Sequence, residues 1–589
     1  LVSPVDSSWQ KMGRDYIAST RKQESDPNKV THSVSGKQLE AIENKIGKLG
    51  YEVSIRVVVV SASVEAAKLH LSNIDTSFTQ FTGEFNSLSG RKTRNKGALI
   101  EDFIYRYQPI FHFFGNSASI YNAEEIATIF HFPNKTVTTP HIQLLTAKTA
   151  PAPANIPTEG LFLGVSRFRG VEKKIYMGTD DRRRHTYLLG KTGTGKTQFL
   201  TSMIRQDMKA GRGLCFIDPH GDAVEELLQH VPPERAEDVI YFRPSDVERP
   251  MGLNLLEAKT EDQKHFVTGA IINLMYKMFD PYKTGIVGPR FEHAVRNALL
   301  TIMSEEGTTF IELMRILTDN NYVKELLPKV QDPIIRRYWT DQIAQTSEFH
   351  KSETLDYITS KFGRFVTNRM VRNMIGQSKS AFNFRDVMDQ QKILLVNLSK
   401  GELGEENSNF LGLILVPRIL MAAMSRTDTP EEERKDFYLY VDEFQNFATP
   451  DFAQILSEAR KYRLSLIVAN QFIGQIDEEI KGAIFGNAGT VMSYRVGPDD
   501  APYLSKVFDP YFSEDDFLNI EKYHVYVKTV VNNEQVNPFS MAITLEDTYD
   551  NIKKAANPKV AEIVKEMSRL KYGRDVRLVE TEIVRRARL

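Results

Sequence analysis

Short apolar runs alternate with amphipathic stretches along most of this chain, and the alternation is clearest between residues 158 and 545. The runs 214–217, 239–242 and 393–396 are each bounded by polar or turn-forming residues. Runs of this length and composition are typical of strands that are buried on both faces of a parallel sheet. The stretches between them repeat apolar residues with helical spacing, so we predict an α/β fold with an open sheet.

The same pattern divides the chain into segments. Residues 1–145 alternate strand and helix patterns only weakly after a polar start, which predicts a smaller α+β accessory domain with a disordered beginning. The Ala/Pro-rich segment 146–157 has no periodicity and predicts a linker before the main α/β domain, 158–545. Residues 260–390 predict a mostly helical insertion in that domain, and 546–589 predict a charged helical tail.

Composition restricts the class of protein. Of 589 residues, 41% are hydrophobic and 26% are charged, as is ordinary for a soluble globular protein. Because the formal net charge is -1, contact with nucleic acid must come from local patches and not from the body as a whole. The single cysteine, Cys215, excludes a disulfide framework within the chain and fits a reducing, cytoplasmic compartment.

The sequence shows no membrane-spanning segment of ordinary length. Such a helix needs roughly 18 apolar residues, and the run 411–424 is interrupted by Pro417 and Arg418. The chain begins at Leu1 and not at Met, so attachment to the inner face of the cell membrane through an absent N-terminal segment stays open. We therefore expect a cytoplasmic protein that can associate with the membrane.

The stretch 185–197 carries the strongest chemical signal, the pattern G-x-x-x-x-G-K-[ST] directly after an apolar run. Glycines let backbone N–H groups approach phosphate oxygens, and the helix predicted to follow adds its N-terminal dipole. We expect Lys196 at the β- and γ-phosphates of ATP and the Thr197 hydroxyl on Mg²⁺. The candidate nucleotide-binding residues are Gly190, Thr192, Gly193, Thr194, Gly195, Lys196, Thr197 and Gln198.

A second strand pattern, 436–441, ends in two carboxylates, Asp442 and Glu443. Phosphoryl transfer requires an acidic residue in the Mg²⁺ shell and a base or orienting group for the attacking water. Asp442 fits the metal-binding role and Glu443 fits the role of base. A strand that ends in Asp-Glu is common by itself, and it becomes specific only together with the phosphate loop.

Two further strand ends supply candidate side chains. Gln471 follows the run 464–469, where an amide can orient water and report hydrolysis, although a polar strand end can also be simple turn chemistry. Arg495 ends the strand pattern 490–495 and is a second candidate for the phosphates. The segment 218–222 holds two aspartates and a histidine, but its proline and glycine favour a tight loop near the nucleotide over a metal site.

One basic stretch could serve a macromolecular partner. Lys361, Arg364, Arg369 and Arg372 fall within one predicted helical stretch. Such a stretch is either a solvated face or a surface for nucleic acid or a neighbouring subunit.

Four motifs together resemble the FtsK–HerA superfamily of P-loop ATPases, and within it the type IV secretion coupling proteins, the TraG/TraD-type conjugation ATPases. The motifs are 191–197, 217–221, 440–445 and 469–471. The resemblance covers roughly residues 160–545. It implies a RecA-like core that assembles as a ring, usually a hexamer, with ATP between subunits. It also implies a motor that pumps DNA and delivers it to the components of a secretion or conjugation channel.

The resemblance also assigns roles to individual positions. Lys196 and Thr197 match the residues that bind nucleotide and Mg²⁺, and Asp442 and Glu443 match the acidic pair. Gln471 matches the glutamine sensor. Arg460 lies off the predicted apolar face of its helix and matches an arginine that reaches the neighbour's site.

Three other functions stay open. Residues 1–145 are more similar to the accessory domain of the secretion system's other large ATPase, so one alternative is a secretion or pilus-assembly ATPase that acts on protein subunits. A HerA-type DNA-processing translocase is the second. The third is a nucleotide-binding scaffold without hydrolysis, against which Glu443 argues, because an inert site has no need of a second carboxylate.

Overall fold

The structure, a computed structural model, describes residues 1–25, 36–93, 95–107, 119–130, 147–343, 348–449 and 451–588. The chain divides into two compact units, Leu1–Leu144 and Leu145–Leu589. Each unit has its own sheet and its own buried side chains.

The described part of the first unit contains a small antiparallel sheet and several helices. The strands pair in the order β1-β2-β3 and are Val2–Pro4, Gly50–Val53 and Ser119–Asn122. The helices α1–α5 are Ser8–Glu24, Gly36–Ile46, Val64–Ser77, Lys96–Ile104 and Ala123–Ile129. Trp9, Ile17 and Leu39 form part of its small core.

The strand β2 ends at Val53, although the sequence stays rich in valine as far as Val60. The valine run that follows is partly solvated, since Val60 is 92% exposed. β-branched residues favour a strand only where a neighbouring strand and a packed face are available.

The second unit is organised around a large mixed sheet. Within the described residues its order is β5-β4-β16-β13-β12-β6-β11-β10-β7-β9-β8, with a separate β14-β15 hairpin. The strands β4–β16 are, in chain order, Leu161–Phe168, Val171–Met177, Thr186–Leu189, Gly213–Asp218, Val239–Phe242, Ile393–Asn397, Phe437–Val441, Leu464–Asn470, Thr490–Ser493, His524–Lys528, Val530–Val531, Glu534–Gln535 and Phe539–Ala542.

The block from β12 to β8 is parallel throughout, whereas β13, β16, β4 and β5 extend it with antiparallel pairs. The parallel strands β6, β7, β9, β10 and β11 are buried along their whole length. Their continuous apolar character follows from the helices that cover both faces. The predicted α/β class is therefore confirmed.

Helices fill the connections between these strands. In chain order, α6–α25 are Thr179–Arg182, Lys196–Lys209, Asp222–Leu228, Glu261–Phe279, Pro289–Ile302, Phe310–Thr318, Asn320–Leu326, Pro333–Arg337, Glu348–Thr367, Arg369–Ile375, Phe384–Asp389, Lys400–Leu403, Glu405–Met424, Asp451–Glu458, Glu478–Asn487, Ala501–Val507, Glu514–Leu518, Tyr549–Ala555, Pro558–Tyr572 and Val576–Ala587. Helices α9–α16 lie between β8 and β9 in sequence and form the predicted helical insertion.

The helix α18 is long and apolar enough to cross a membrane by length and composition, as a segment from Glu405 to Asp428, but 78% of its apolar window is buried inside the unit. Phe410 stacks on Phe365 of the insertion with ring centroids 3.8 Å apart. This helix is accordingly a core helix that joins the insertion to the sheet.

The predicted linker and the predicted C-terminal tail both pack against the second unit. Within the predicted linker, Ala150 is buried, and its N–H donates to Ser540 Oγ at 3.0 Å. In the C-terminal tail, α24 packs on the edge strand β8. The Tyr241 N–H of β8 donates to Ser568 Oγ of α24 at 2.8 Å. Ile583 of α25 packs on Ile311 of the insertion. Both segments therefore belong to the packing of the second unit.

Candidate nucleotide site

The candidate side chains converge where the parallel strands end. In the sheet, β6 lies between β12 and β11, and β10 lies between β11 and β7. The phosphate loop follows β6, Asp442 follows β10 and Gln471 follows β11. Since parallel strands all end at one edge, this edge, which we call the carboxyl edge, gathers groups that are distant in sequence.

The phosphate loop has the backbone that its glycines predict. Gly193 and Gly195 have φ values of 77° and 107°, which favour glycine. A Cβ at Gly193 would meet no heavy atom within 4 Å, so the loop is open on that side. A Cβ at Gly190 would lie 2.4 Å from Cβ of Tyr494, so glycine is required there by close packing. The open cradle leads directly into the N-terminus of α7, as an anion site requires.

The remaining loop residues divide into supporting and exposed ones. Thr194 is buried and donates its hydroxyl to the Lys191 carbonyl at 2.7 Å, which closes the loop on itself. Thr192, Thr197 and Gln198 are exposed beside the cradle.

Lys196 is buried and lies folded against its own loop. Its ammonium donates to the Gly190 carbonyl and, at 3.3 Å, to the Lys191 carbonyl. Burial lowers the pKa of Lys196, and the carboxylates of Asp442 and Glu443 oppose that shift. When a nucleotide binds, the Lys196 ammonium can exchange these two carbonyl acceptors for phosphate oxygens. Phosphate oxygens are the stronger acceptors, because they are charged and carbonyl oxygens are not.

Thr197 and Asp442 form the pair that suits Mg²⁺. The Thr197 hydroxyl donates to Asp442 Oδ2 at 2.9 Å, and Asp442 is 2% exposed. Burial raises the pKa of Asp442, the Thr197 hydrogen bond lowers it, and the charges of Glu443 and Asp218 raise it further. Hydroxyl and carboxylate oxygens are the ligands that Mg²⁺ prefers, so these residues fit that ion.

Glu443 is held by two amides. Gln471 Nε2 donates to Glu443 Oε1 at 2.8 Å, and Gln445 Nε2 donates to Glu443 Oε2 at 2.6 Å. The backbone of Glu443 is left-handed, with φ 48°, an uncommon conformation for this residue type. Such strained positions concentrate at functional sites. The carboxylate is thus ordered beside Asp442, and Gln471 touches it directly.

The 218–222 loop is structural. Asp218 Oδ1 accepts the His220 N–H at 2.8 Å, and Oδ2 accepts the Ala223 N–H at 3.0 Å at the start of α8. No group of three or more His, Cys, Asp or Glu side chains that could hold a metal occurs within the described residues. Asp218 still lies close enough to the site for its charge to raise the pKa of Asp442.

Arg460 lies far from the phosphate loop of the same chain. The predicted helix breaks into α19 and a 3-10 turn, Ala459–Tyr462, that precedes β11. Arg460 is exposed and donates to Asn533 Oδ1 at 3.4 Å. Seven residues of β11, about 20 Å, separate this end of the strand from Gln471, which excludes Arg460 from its own site.

Arg495 lies on the other side, at the carboxyl edge. The strand β12 ends at Ser493, two residues before Arg495. The Arg495 carbonyl accepts the Lys191 N–H at 3.0 Å, and its side chain is exposed. Arg495 therefore borders the phosphate loop of the same chain.

Sequence reasoning missed two neighbours of the acidic pair. Gln445 lies within the motif 440–445, but its spacing from Glu443 gave no sign that the two side chains meet. Tyr494 is fully buried, packs on Gly190 and lies near enough to Asp442 for that charge to raise its pKa, after burial, which is the main cause. An aromatic residue directly before Arg495 was the available signal.

The basic stretch of the insertion is divided between two helices and engages its own chain. Arg364 pairs with Glu406 at 2.8 Å, and Arg369 pairs with Glu580 of α25 at 2.6 Å. Lys361 lies 4.5 Å from the centroid of the Tyr357 ring. Arg372 donates to the Val366 carbonyl at 3.2 Å. The Arg364 and Arg369 side chains are 56% and 67% exposed, so these are surface ion pairs that contribute little to stability.

Comparison with known proteins locates the similarity in the second unit. The model of the family described as type IV secretion-system coupling protein DNA-binding domain matches residues 173–496, more than half of the chain. The type 4 coupling protein DotL of Legionella pneumophila is 24% identical in an alignment 376 residues long that covers 54% of this chain and 47% of that relative. The chain thus spans about half the length of this curated relative.

Solved structures with a related arrangement include two of one coupling protein. The unbound conjugative coupling protein TrwBdeltaN70 has 16% identity and a TM-score of 0.47, over 64% of this chain and 87% of that chain. TrwB in complex with ADP and Mg²⁺ has 14% identity and a TM-score of 0.48, over 70% and 99%. VirB4 of Thermoanaerobacter pseudethanolicus has 14% identity and a TM-score of 0.43, over 67% and 99%.

Proposed function

This chain belongs to the type IV secretion-system coupling protein DNA-binding domain family, and from that premise we propose that it is an ATP-hydrolysing ring motor that translocates DNA in conjugation or type IV secretion. One observation carries the proposal. Two side-chain contacts lie together at the carboxyl edge, directly beside the phosphate loop. Thr197 contacts Asp442, the pair proposed to bind Mg²⁺, and Gln471 contacts Glu443, the proposed sensor and base.

The chain's own groups divide the work of hydrolysis. The loop amides, Lys196 and the α7 N-terminus bind the β- and γ-phosphates of ATP. Thr197 and Asp442 would hold Mg²⁺, which when bound neutralises charge on the phosphate oxygens. Glu443 accepts the proton of the attacking water, because each of its carboxylate oxygens receives one amide hydrogen bond and keeps a further lone pair.

Gln471 links this event to the rest of the sheet. Its amide donates to Glu443 and it directly follows β11. A change in the charge or position of Glu443 would therefore be transmitted to β11, whose opposite end follows the turn that contains Arg460. Arg460 would act on the site of a neighbouring subunit, which supports assembly as a ring, with a hexamer as the expected size. Arg495 would contact the phosphates within its own subunit.

The family premise also suggests the partners and the location. We assign DNA as the substrate and the components of a type IV secretion or conjugation apparatus as the partners. The protein would act in the cytoplasm at the inner face of the membrane.

The test measures ATPase rate with no DNA, with single-stranded DNA and with double-stranded DNA, over a range of salt concentrations. We expect DNA to stimulate hydrolysis and the stimulation to fall steeply with salt as counterions are released. Lys196→Ala is the control for contaminating activity. A rate that is indifferent to DNA and to salt would favour the protein-secretion alternative.

A further inference from the structure

An aromatic side chain outside the recognised motifs borders the phosphate loop. Tyr523 is the residue directly before β13, which runs antiparallel to β12, so the start of β13 lies at the carboxyl edge. A Cβ built at Gly195 would lie 2.8 Å from Tyr523 Cδ1 and 3.2 Å from Cε1. The ring edge is thus in contact with the residue that caps α7 in the loop.

The backbone at Tyr523 is in a conformation that a bulky residue rarely adopts. Its φ is 63°, in the left-handed region. The conformation is held from both sides, because the Ile543 N–H donates to the Tyr523 carbonyl at 2.7 Å and the His524 N–H donates to the Glu521 carbonyl at 3.1 Å. Such a conformation persists only where the surrounding structure determines the position.

The ring is placed at the surface and not in the core. Tyr523 is 40% exposed. Gly195 engages one edge of the ring, and the Lys522 ammonium lies 4.8 Å from the ring centroid over one face. Core packing does not explain the strained conformation of Tyr523, because a core ring would be buried. The exposed ring beside the phosphate loop is instead placed to contact a bound ligand.

We propose that Tyr523 stacks on the purine base of the nucleotide whose phosphates occupy the loop, an inference that rests on the proposed function. Stacking uses the π-face that all bases share, so Tyr523 supplies affinity for the base without discriminating ATP from GTP. Tyr523 is then a binding residue for the base, in addition to the loop residues that bind phosphate.

The experiment compares ATP with inorganic tripolyphosphate, which has the phosphates and lacks the base, by calorimetric titration in the presence of Mg²⁺. The variant is Tyr523→Gly, because glycine adopts a φ of 63° without strain and should fold at least as well as the native chain. We expect about 5–100-fold weaker binding of ATP and of GTP, by the usual strength of base–aromatic stacking, and unchanged binding of tripolyphosphate.

Two further variants sharpen the result. Tyr523→Phe should bind both ligands as the native chain does, because the ring is retained. Tyr282→Gly is the matched control, since Tyr282 lies in a loop and is 89% exposed, and it should leave both affinities unchanged.

The outcomes separate this inference from the proposed function. If Tyr523→Gly weakens ATP and tripolyphosphate equally, the ring shapes the phosphate loop and the inference is wrong. Unchanged ATP affinity overturns it as well. If the native chain binds neither ligand, the proposed function itself fails, whereas intact binding that is lost in Lys196→Ala confirms the site on which the inference depends.

Discussion

Charged side chains are paired differently at the two edges of the parallel sheet. At the carboxyl edge, Lys196 is held by two carbonyls and Glu443 by two amides. At the amino edge, where the strands begin, Arg182 donates to both oxygens of Asp207, at 2.8 and 2.7 Å. There the phenol of Tyr440 donates to the same carboxylate at 2.5 Å, and all three residues are buried.

The pKa shifts follow this contrast. Burial lowers the pKa of Lys196 and raises that of Asp442, and the local partners do not restore the charged forms. For Arg182, burial by itself lowers the pKa, but Asp207 and the neighbouring phenols raise it overall. Charged groups at the carboxyl edge are thus incompletely compensated, as suits groups that would change partners when a nucleotide binds. Charged groups at the amino edge are fully compensated by one another, and loss of either partner would leave a buried charge unpaired.

The largest expected effect concerns Arg460, an amino-edge residue for which we propose a role at the carboxyl edge of a neighbour. Arg460→Ala should keep ATP affinity and lose turnover by roughly 10³–10⁵, as for an arginine finger that is removed. The rate of the native chain should also rise with protein concentration, because an isolated subunit has no finger. Steady-state ATPase assays with calorimetric binding in parallel check both points.

Mixed rings decide whether the arginine acts between subunits. Rings formed from Arg460→Ala and Glu443→Gln chains contain some interfaces with an intact Glu443 and an intact Arg460, so partial activity should return. Lys461→Ala, one position along on the same turn, is the matched control and should turn over normally. Absence of recovery in rings that are shown to be mixed would place Arg460 outside the chemistry.

The next effect is that of the proposed base. Glu443→Gln keeps the shape of the side chain but cannot accept the proton of the water, so kcat should fall by about 10²–10⁴ while ATP binds normally. Gln445→Ala is the informative companion, because it removes one amide partner and leaves the carboxylate. Near-normal turnover in Glu443→Gln would assign the base elsewhere.

At the amino edge, the same kind of change should affect stability and not catalysis. Arg182→Met leaves the Asp207 carboxylate buried without its bidentate partner, and we expect a loss of about 3–5 kcal/mol in the free energy of unfolding. Denaturant unfolding followed by circular dichroism measures the loss, and calorimetry at low temperature should show unchanged ATP affinity in the folded protein.

The adjacent arginine provides the control. Arg183 pairs in a bidentate manner with Asp436, at 2.7 and 2.8 Å, but both side chains are about one-fifth exposed. Arg183→Met should therefore cost much less than Arg182→Met. Equal losses in the two variants would contradict the distinction between buried and solvated pairs at this edge.

The sequence predicted which side chains lie at the carboxyl edge wherever their placement depends on local spacing. The glycines of the phosphate loop, the carboxylates after β10 and the glutamine after β11 were all predicted from strand ends, because parallel strands bring their carboxyl ends together. The alternation of apolar runs and helical stretches likewise predicted the α/β class and the helical insertion between β8 and β9.

What the sequence does not show are the contacts between distant parts of the chain. The composition of residues 146–157 is that of a linker, yet the Ala150 N–H donates a hydrogen bond to Ser540, which is 390 residues away in the sequence. Tyr523 meets Gly195 only because β13 joins the sheet next to β12. Hydrophobic periodicity also could not show that Arg182, Asp207 and Tyr440 meet, since partner identity in a buried network is set by the register of separate elements.

The last predicted effect is a pH dependence of stability that originates at the amino edge. His185 is buried before β6, where Nδ1 accepts the Leu466 N–H at 3.1 Å and Nε2 therefore carries the proton that faces the Leu456 carbonyl at 3.0 Å. Burial lowers the pKa of His185 to about 4, the Leu456 hydrogen bond opposes the shift, and the charge of Arg460 adds to it.

The sign of the effect follows from proton binding. In the unfolded chain the imidazole binds a proton below its ordinary pKa of about 6.5, whereas in the folded chain it does so only near 4. Its contribution is therefore complete above pH 6.5 and is lost progressively as the pH falls towards 4, by about 3 kcal/mol in all. Denaturant unfolding at several pH values should show this loss, and it should be absent from the pH dependence of His185→Gln.

Two comparisons isolate His185. His220→Gln changes an exposed histidine at the carboxyl edge and should leave the pH dependence of stability unaltered. Arg460→Ala removes a positive charge near the ring, so the pKa of His185 should rise and the acid-induced loss should become smaller. The imidazole titration, followed by NMR of histidine-labelled protein, measures this pKa directly. A His185 that titrates near 6.5 in the folded chain would show that the amino edge admits water, and the contrast between the two edges would then be wrong at this position.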